Sequence, residues 1–190
     1  MRGYATAQFV LALRYAEGRG VTKDDTKAAS LVTKAAQQGL VVAEYRLGAI
    51  YERGVGVPKD LAQAKAWYER AAKGGNRKAM HNLAVLHAEG QNFAEAARWF
   101  RQGAEFGLAD SQYNLGILLE RGMGVEKNAN EAAKWYAVAV SQGDTGAAER
   151  LELLKRTMSG ADVAMALDAA RKFQPKPMNA IANEVPAFTG

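Results

Sequence analysis

The chain has 190 residues, ample for one domain and few for two. It contains no cysteine, which excludes disulfides, thiolate zinc sites and cysteine nucleophiles. The net charge of +5 is spread among acids without a basic run that would mark a nucleic-acid stripe, and no segment reaches the ~18 apolar residues of a membrane helix.

The start, MRGYATAQFV, lacks the layout of a cleavable signal peptide and passes almost directly into a periodic pattern, as a piece of a longer chain would. The first unit, near 5–39, ends its opening helix at the loop GRGVTKD (Gly18–Asp24). The second, near 40–75, repeats the layout 36 residues on with GVGVPKD (Gly54–Asp60). Ala43, Leu47, Ile50 and Tyr51 lie on one helical face before the loop, and Ala64, Trp67, Tyr68, Ala71 and Ala72 on another after it. Gly54 is placed to end the first helix, Asp60 to cap the second, and Gly74 or Gly75 to end the pair.

The third unit, near 76–107, runs from Gly90 straight into QNFAEAARWF, so four loop residues are missing. The fourth, near 108–143, restores the loop as GMGVEKN, with Leu115, Gly116 and Leu119 before it and Ala132, Trp135, Tyr136 and Ala139 after it. Leu11, Leu47, Leu83, Leu115 and Leu151 accordingly lie 36, 36, 32 and 36 residues apart. Gly48, Ala84 and Gly116 share one position, where a neighbouring helix is expected to approach closely. A partial unit, 144–173, is expected to cap the array with a helix from Asp162 to Phe173, facing Val163, Ala166, Leu167 and Ala170 inward. The aperiodic tail, 174–190, reads as extended or mobile.

One helix pair cannot bury both its apolar faces, and stacked pairs can. The expected fold is therefore all-α, an α-solenoid of antiparallel helix pairs over 1–173, with about four full repeats and a capping pair.

GVGVPKD superficially suggests a phosphate loop. Its glycine spacing is two, no Ser or Thr follows Lys59, and a helix precedes it, so a turn with Val57 plugging the core is the better reading. His81 and His87 are six residues apart on one helix, about 240° around it, and cannot share a metal as an i, i+4 pair does. Glu44, Glu52, Glu69 and Glu120 read as solvated charges on polar faces. Trp67, Trp99 and Trp135 fall within apolar faces and read as packing. No cofactor, metal or catalytic constellation is expected.

The segment AEYRLGAIYERGVGVPKDLAQAKAWYERAAKGG (Ala43–Gly75) closely resembles the Sel1-like repeat, a relative of the tetratricopeptide repeat. Unit one departs from it with Leu31 in place of tryptophan, and unit three with its short loop. The resemblance implies a superhelix that acts as an adaptor. A narrower likeness lies in AMHNLAVLHAEG (Ala79–Gly90), AARWFRQGAEFGLADSQYNLGILLERGMGV (Ala96–Val125) and ARKFQPKPMNAIANEV (Ala170–Val185). These segments are similar to the C-terminal periplasmic region of PodJ-type polar localisation factors of alphaproteobacteria. That implies a periplasmic fragment of a single-span polarity scaffold, tethered to a membrane in the full-length protein.

In tetratricopeptide-like solenoids the first helix of each unit lines the concave face, and the resemblance implies the same here. Phe9, Tyr45, His81 and Tyr113 then share one position, and Leu13, Ala49, Val85 and Ile117 a second. Charges edge them, among them Glu17, Glu52, Arg53, Glu89, Glu120 and Arg121. Aromatic anchors above an apolar floor suit a protein or peptide partner. Binding to peptidoglycan is the alternative, followed by a free periplasmic adaptor or a hydrolase.

Overall fold

The computed structural model describes residues 2–184, which form helices and turns without a strand. The described residues divide into two compact units, one of Arg2–Ala79 with Met178–Glu184, the other of Met80–Pro177. The first holds α1 (Arg2–Glu17), α2 (Asp25–Gln37), α3 (Val41–Arg53), α4 (Leu61–Lys73) and the short α11 (Ala180–Asn183). The second holds α6 (Phe93–Glu105), α7 (Ala109–Arg121), α8 (Ala129–Val140), α9 (Thr145–Lys155) and α10 (Gly160–Arg171). Helix α5 (Arg77–Glu89) begins in the first and belongs mostly to the second. Repeated helix pairs of this kind make the fold an α-solenoid.

In the first unit α1 packs on α2, α2 on α3 and α3 on α4. The core draws Phe9 and Ala12 from α1, Val32 and Ala36 from α2, and Leu47 and Ile50 from α3, with Val57 and Trp67 packed against it. Val57 thus takes the plugging role expected of it. Leu11 shares the position of Leu47 but is 39 % exposed, because among the described residues no helix precedes α1 to cover it. In the second unit α6 packs on α7 and α7 on α8, and both α9 and α10 pack on α8. Helix α10 starts two residues earlier than expected because Ser159 caps it at the Asp162 amide. It buries Ala166 and half-buries Val163, Leu167 and Ala170.

The loops are built the same way each time. Gly54 takes a left-handed φ of 72° and ends α3, and the Asp60 carboxylate accepts hydrogen bonds from the amides of Ala62 and Gln63 at the start of α4. Gly56 lies so close to the first turn of α2 that an added Cβ would sit 2.1 Å from the Asp25 carbonyl oxygen. One hydrogen bond closes all four loops, from the amide of the capping residue to a carbonyl near the end of the preceding helix. It joins Asp24 to Tyr15, Asp60 to Tyr51, Asn92 to His87 and Asn128 to Leu119, at 2.9–3.0 Å. The short third loop keeps this bond, at the cost of putting Gln91 at φ 59°. The loop therefore serves as a turn, with its glycines spent on geometry.

The tail has no helix or turn from Gln174 to Asn179 and then makes the single turn of α11. In the second unit Lys176 pairs with Glu105 at 2.6 Å and donates its amide to the Glu105 carbonyl at 2.8 Å. In the first, the Asn183 amide group donates to the Gly75 carbonyl, its oxygen accepts from the Arg77 amide, and Asn76 donates to the Ala182 carbonyl. These bonds hold the tail to the turns between repeats. The remainder of the expected tail, 185–190, lies outside the described residues.

Candidate functional site

In the first unit Leu13, Tyr45, Ala49 and Glu52 are half-buried and Arg53 is exposed. Tyr45 lies against the Tyr68 ring of α4, centroids 5.9 Å apart. Phe9 departs from the expected row. It is 2 % exposed and belongs to the core cluster, so its ring is closed to a partner. A phenylalanine has no polar tip to hold at the surface, which distinguishes it from Tyr45 at the same position.

In the second unit His81, Val85, Tyr113, Ile117 and Glu120 are half-buried, and Glu89 and Arg121 are exposed. His81 packs on Phe100, centroids 5.5 Å apart, and its Nδ1 lies 3.1 Å from the Ser111 hydroxyl. Burial lowers the His81 pKa, with Asp110 opposing, so the ring is neutral near pH 7. Tyr113 packs on Tyr136, centroids 6.0 Å apart.

Behind Tyr45 and Tyr113 lies a shared device. Tyr68 is fully buried and donates to Glu52 at 2.5 Å, and Tyr136 is fully buried and donates to Glu120 at 2.6 Å. Burial and the Glu120 carboxylate both raise the Tyr136 pKa, so its phenol stays a donor. Each ring lies over a glycine, and a Cβ on Gly48 or Gly116 would come within 2.5 Å of it. This is the close approach expected at that position. Glu52 and Glu120 are thus hydrogen-bond acceptors for buried phenols as well as members of a charged rim. The third repeat changes all three members together, to Phe100, Ala88 and Ala84, and the first to Val32, Ala16 and Ala12. Without the hydroxyl no acceptor is needed, and with a different side chain an alanine methyl fits.

At the first repeat the positions of Tyr68 and Glu52 are held by the smaller Val32 and Ala16, and both line a cleft. This cleft of about 340 Å³ lies among α1, α2 and α3, with Ala12, Leu13, Ala16 and Val32 in its wall and Lys23, Arg46 and Arg53 among its lining cations. Asp25 also lines it and pairs with Lys23 at 3.6 Å. Leu13, Ala49 and Arg53, expected on the concave face, all line this cleft. Arg46 and the cleft itself were not expected.

The remaining candidates resolve as packing. Trp99 and Trp135 are buried, and Trp67 is half-buried with the Arg70 guanidinium 4.6 Å above its ring. Glu44 corrects the expectation of a solvated carboxylate: it is 5 % exposed and paired with Arg70 at 2.8 Å. Burial raises its pKa and Arg70 opposes that shift. Among the described residues no three His, Cys, Asp or Glu are grouped to hold a metal ion, and no helix is long and apolar enough to cross a membrane.

The four helix–loop–helix units coincide with four matches to the Sel1 repeat, at residues 5–40, 41–76, 77–107 and 109–144. The chain belongs to the Sel1 repeat family. Sel1 repeat proteins generally mediate protein–protein interaction. Among solved structures, the chain is similar to a Sel1 repeat protein from Oxalobacter formigenes, at 29 % identity and a TM-score of 0.77, covering 90 % of this chain and 74 % of that one. It is also similar to c5321, a protective antigen of uropathogenic Escherichia coli with an SLR fold, at 25 % identity and a TM-score of 0.53, covering 89 % of this chain and 45 % of that one. No curated protein matches the chain.

Proposed function

We propose that this Sel1 repeat protein is a non-enzymatic adaptor that binds a protein or peptide through the first helices of its repeats. One observation carries the reading: Tyr45 and Tyr113 each present a half-buried ring fixed against a fully buried one, Tyr68 or Tyr136. A ring held in place loses little freedom on binding, which makes it an efficient anchor. The exposed Arg53 lies on α3 with Tyr45, and the exposed Arg121 on α7 with Tyr113, where they can supply polar contacts.

The test uses a peptide selected against the whole chain from a display library, with affinity read by fluorescence anisotropy. Tyr45→Ala with Tyr113→Ala weakens it roughly tenfold or more, with helicity unchanged. Equal affinity for the variant would refute this site.

A finer reading rests on the likeness of 79–90, 96–125 and 170–185 to PodJ-type factors, and places the module in the periplasm as part of a polar scaffold. A fusion of the native protein to a fluorophore that matures outside the cytoplasm tests it. A focus at one cell pole supports the reading, and an even distribution rejects it.

A further inference from the structure

The cleft of the first unit is a gap in a pattern that the second unit completes. In the fourth repeat, three groups converge: the Tyr136 ring, the Glu120 carboxylate that accepts its hydroxyl hydrogen, and Arg150 of α9, whose Nη1 lies 3.5 Å from Glu120. The corresponding residues are Val32 and Ala16 of the first repeat and Arg46 of α3, in the repeat that follows it. The arginine is retained, while the ring and the carboxylate are gone. Arg46 is exposed at the cleft and makes no ion pair among the described residues. Lys23 and Arg53 line the same cleft against one carboxylate, Asp25, so its charge is net positive. In the third repeat a buried phenylalanine, Phe100, and a buried alanine, Ala84, hold the positions of Tyr136 and Gly116.

We infer that this cleft accepts, from an acidic partner peptide, an aromatic side chain next to a carboxylate, supplying in trans the ring and the charge that Tyr136 and Glu120 supply within the fourth repeat. The ring enters against Leu13, Ala16 and Ala49, the half-buried apolar side chains of the lining, and excludes water from them. The neighbouring carboxylate meets Arg46, with Lys23 and Arg53 attracting the rest of an acidic segment. This rests on the interaction reading above and narrows its partner to acidic, aromatic-containing chains. Binding of this kind weakens as salt rises, because its charges sit at the mouth.

The probe is a fluorescein-labelled heptapeptide with one central phenylalanine flanked on each side by three Asp or Glu residues, titrated into the whole chain at low salt. Saturable binding is expected, with shifts of the Ala16 and Val32 methyl resonances. Replacing the phenylalanine by alanine, or the acids by lysine, weakens binding roughly tenfold or more. Rebuilding the plug with Ala12→Gly, Ala16→Glu and Val32→Tyr removes binding, with helicity retained. Arg46→Ala, at an exposed site where folding is not at risk, weakens it roughly tenfold.

No saturable binding by the wild-type chain overturns the inference, as does binding that survives both the rebuilt plug and Arg46→Ala. The adaptor reading is judged separately, by the library-selected peptide and the Tyr45→Ala, Tyr113→Ala pair. A cleft that fails while that pair weakens the selected peptide leaves the adaptor reading standing. A cleft that binds while the pair has no effect moves the site from the tyrosine row to the cleft.

Discussion

Tyr68 donates a 2.5 Å hydrogen bond to Glu52 from a position fully closed to solvent, and the two residues are replaced together, by Phe100 and Ala88, in the third repeat. Phenol and carboxylate therefore act as one unit. Tyr68→Phe leaves a half-buried carboxylate without its donor, and Glu52→Ala leaves a buried hydroxyl without its acceptor. Each is expected to cost about 1–2 kcal/mol. The double variant is expected to cost less than the sum, with a coupling of about 1 kcal/mol. Urea denaturation of the four proteins measures this, and strict additivity would contradict the paired role.

The same ring makes Gly48 sensitive to a single methyl group. Glycine to alanine in a helix normally stabilises by about 1 kcal/mol. At Gly48 the added Cβ would meet the Tyr68 ring at 2.5 Å, so Gly48→Ala is expected to destabilise by about 1–3 kcal/mol. In a Tyr68→Val background, which copies the Ala12 and Val32 combination of the first repeat, the sign should reverse. Thermal denaturation of both pairs gives the comparison.

Glu44 gives a pH dependence of defined sign. Its carboxyl is raised by burial, so the folded state binds its proton more tightly than the unfolded state does. Its contribution is fully present below the unfolded carboxyl range and is lost as pH rises through the folded pKa. Glutamine occupies the equivalent positions 8 and 112. Glu44→Gln should therefore be neutral to about 1 kcal/mol stabilising at pH 7, and its advantage should shrink at acid pH. Urea midpoints at pH 4 and pH 7 test this, and an advantage that grows in acid would reverse the assignment.

The tail turns on asparagine. Asn76 is buried, and it both accepts from the Ala79 amide and donates to the Ala182 carbonyl, while Asn183 joins Gly75 and Arg77. Asn183→Ala removes the bonds to Gly75 and Arg77 and leaves those of Asn76 and Lys176 in place. It is expected to speed cleavage within 174–184 by limiting protease several-fold, with little change in the unfolding midpoint. Asn76→Ala also strips a helix cap and is expected to cost about 1–2 kcal/mol.

These features differ in how much sequence periodicity reveals. The helix pairs and their caps were legible because glycine, leucine and Asp or Asn return at fixed intervals. Tyr45 and Tyr113 were legible for the same reason. Phe9 was placed correctly in register, yet shared register does not fix exposure, and its wholly apolar ring lies in the core. Glu44 was misjudged because charged residues are usually solvated, and its partner Arg70 lies on the next helix. The cleft was missed because it consists of what Ala16 and Val32 lack relative to Glu120 and Tyr136. The tail contacts were missed because asparagine bonds to backbone groups leave no periodic trace.

The third loop carries a local strain that can be relieved. Losing four residues leaves Gln91 at φ 59°, whereas the left-handed positions ending α3 and α7 are Gly54 and Gly122. A non-glycine residue pays about 1 kcal/mol there, and Gln91 is exposed with no side-chain bond among those described. Gln91→Gly recovers that cost but frees the unfolded chain, for a net gain of about 0.5 kcal/mol. The reciprocal change, Gly54→Gln, imposes the same strain and also brings a Cβ within 3.1 Å of the Lys59 amide nitrogen. It should cost about 1–2 kcal/mol. Opposite shifts in the urea midpoint are expected for the two variants, and shifts of the same sign would show that backbone strain does not govern these turns.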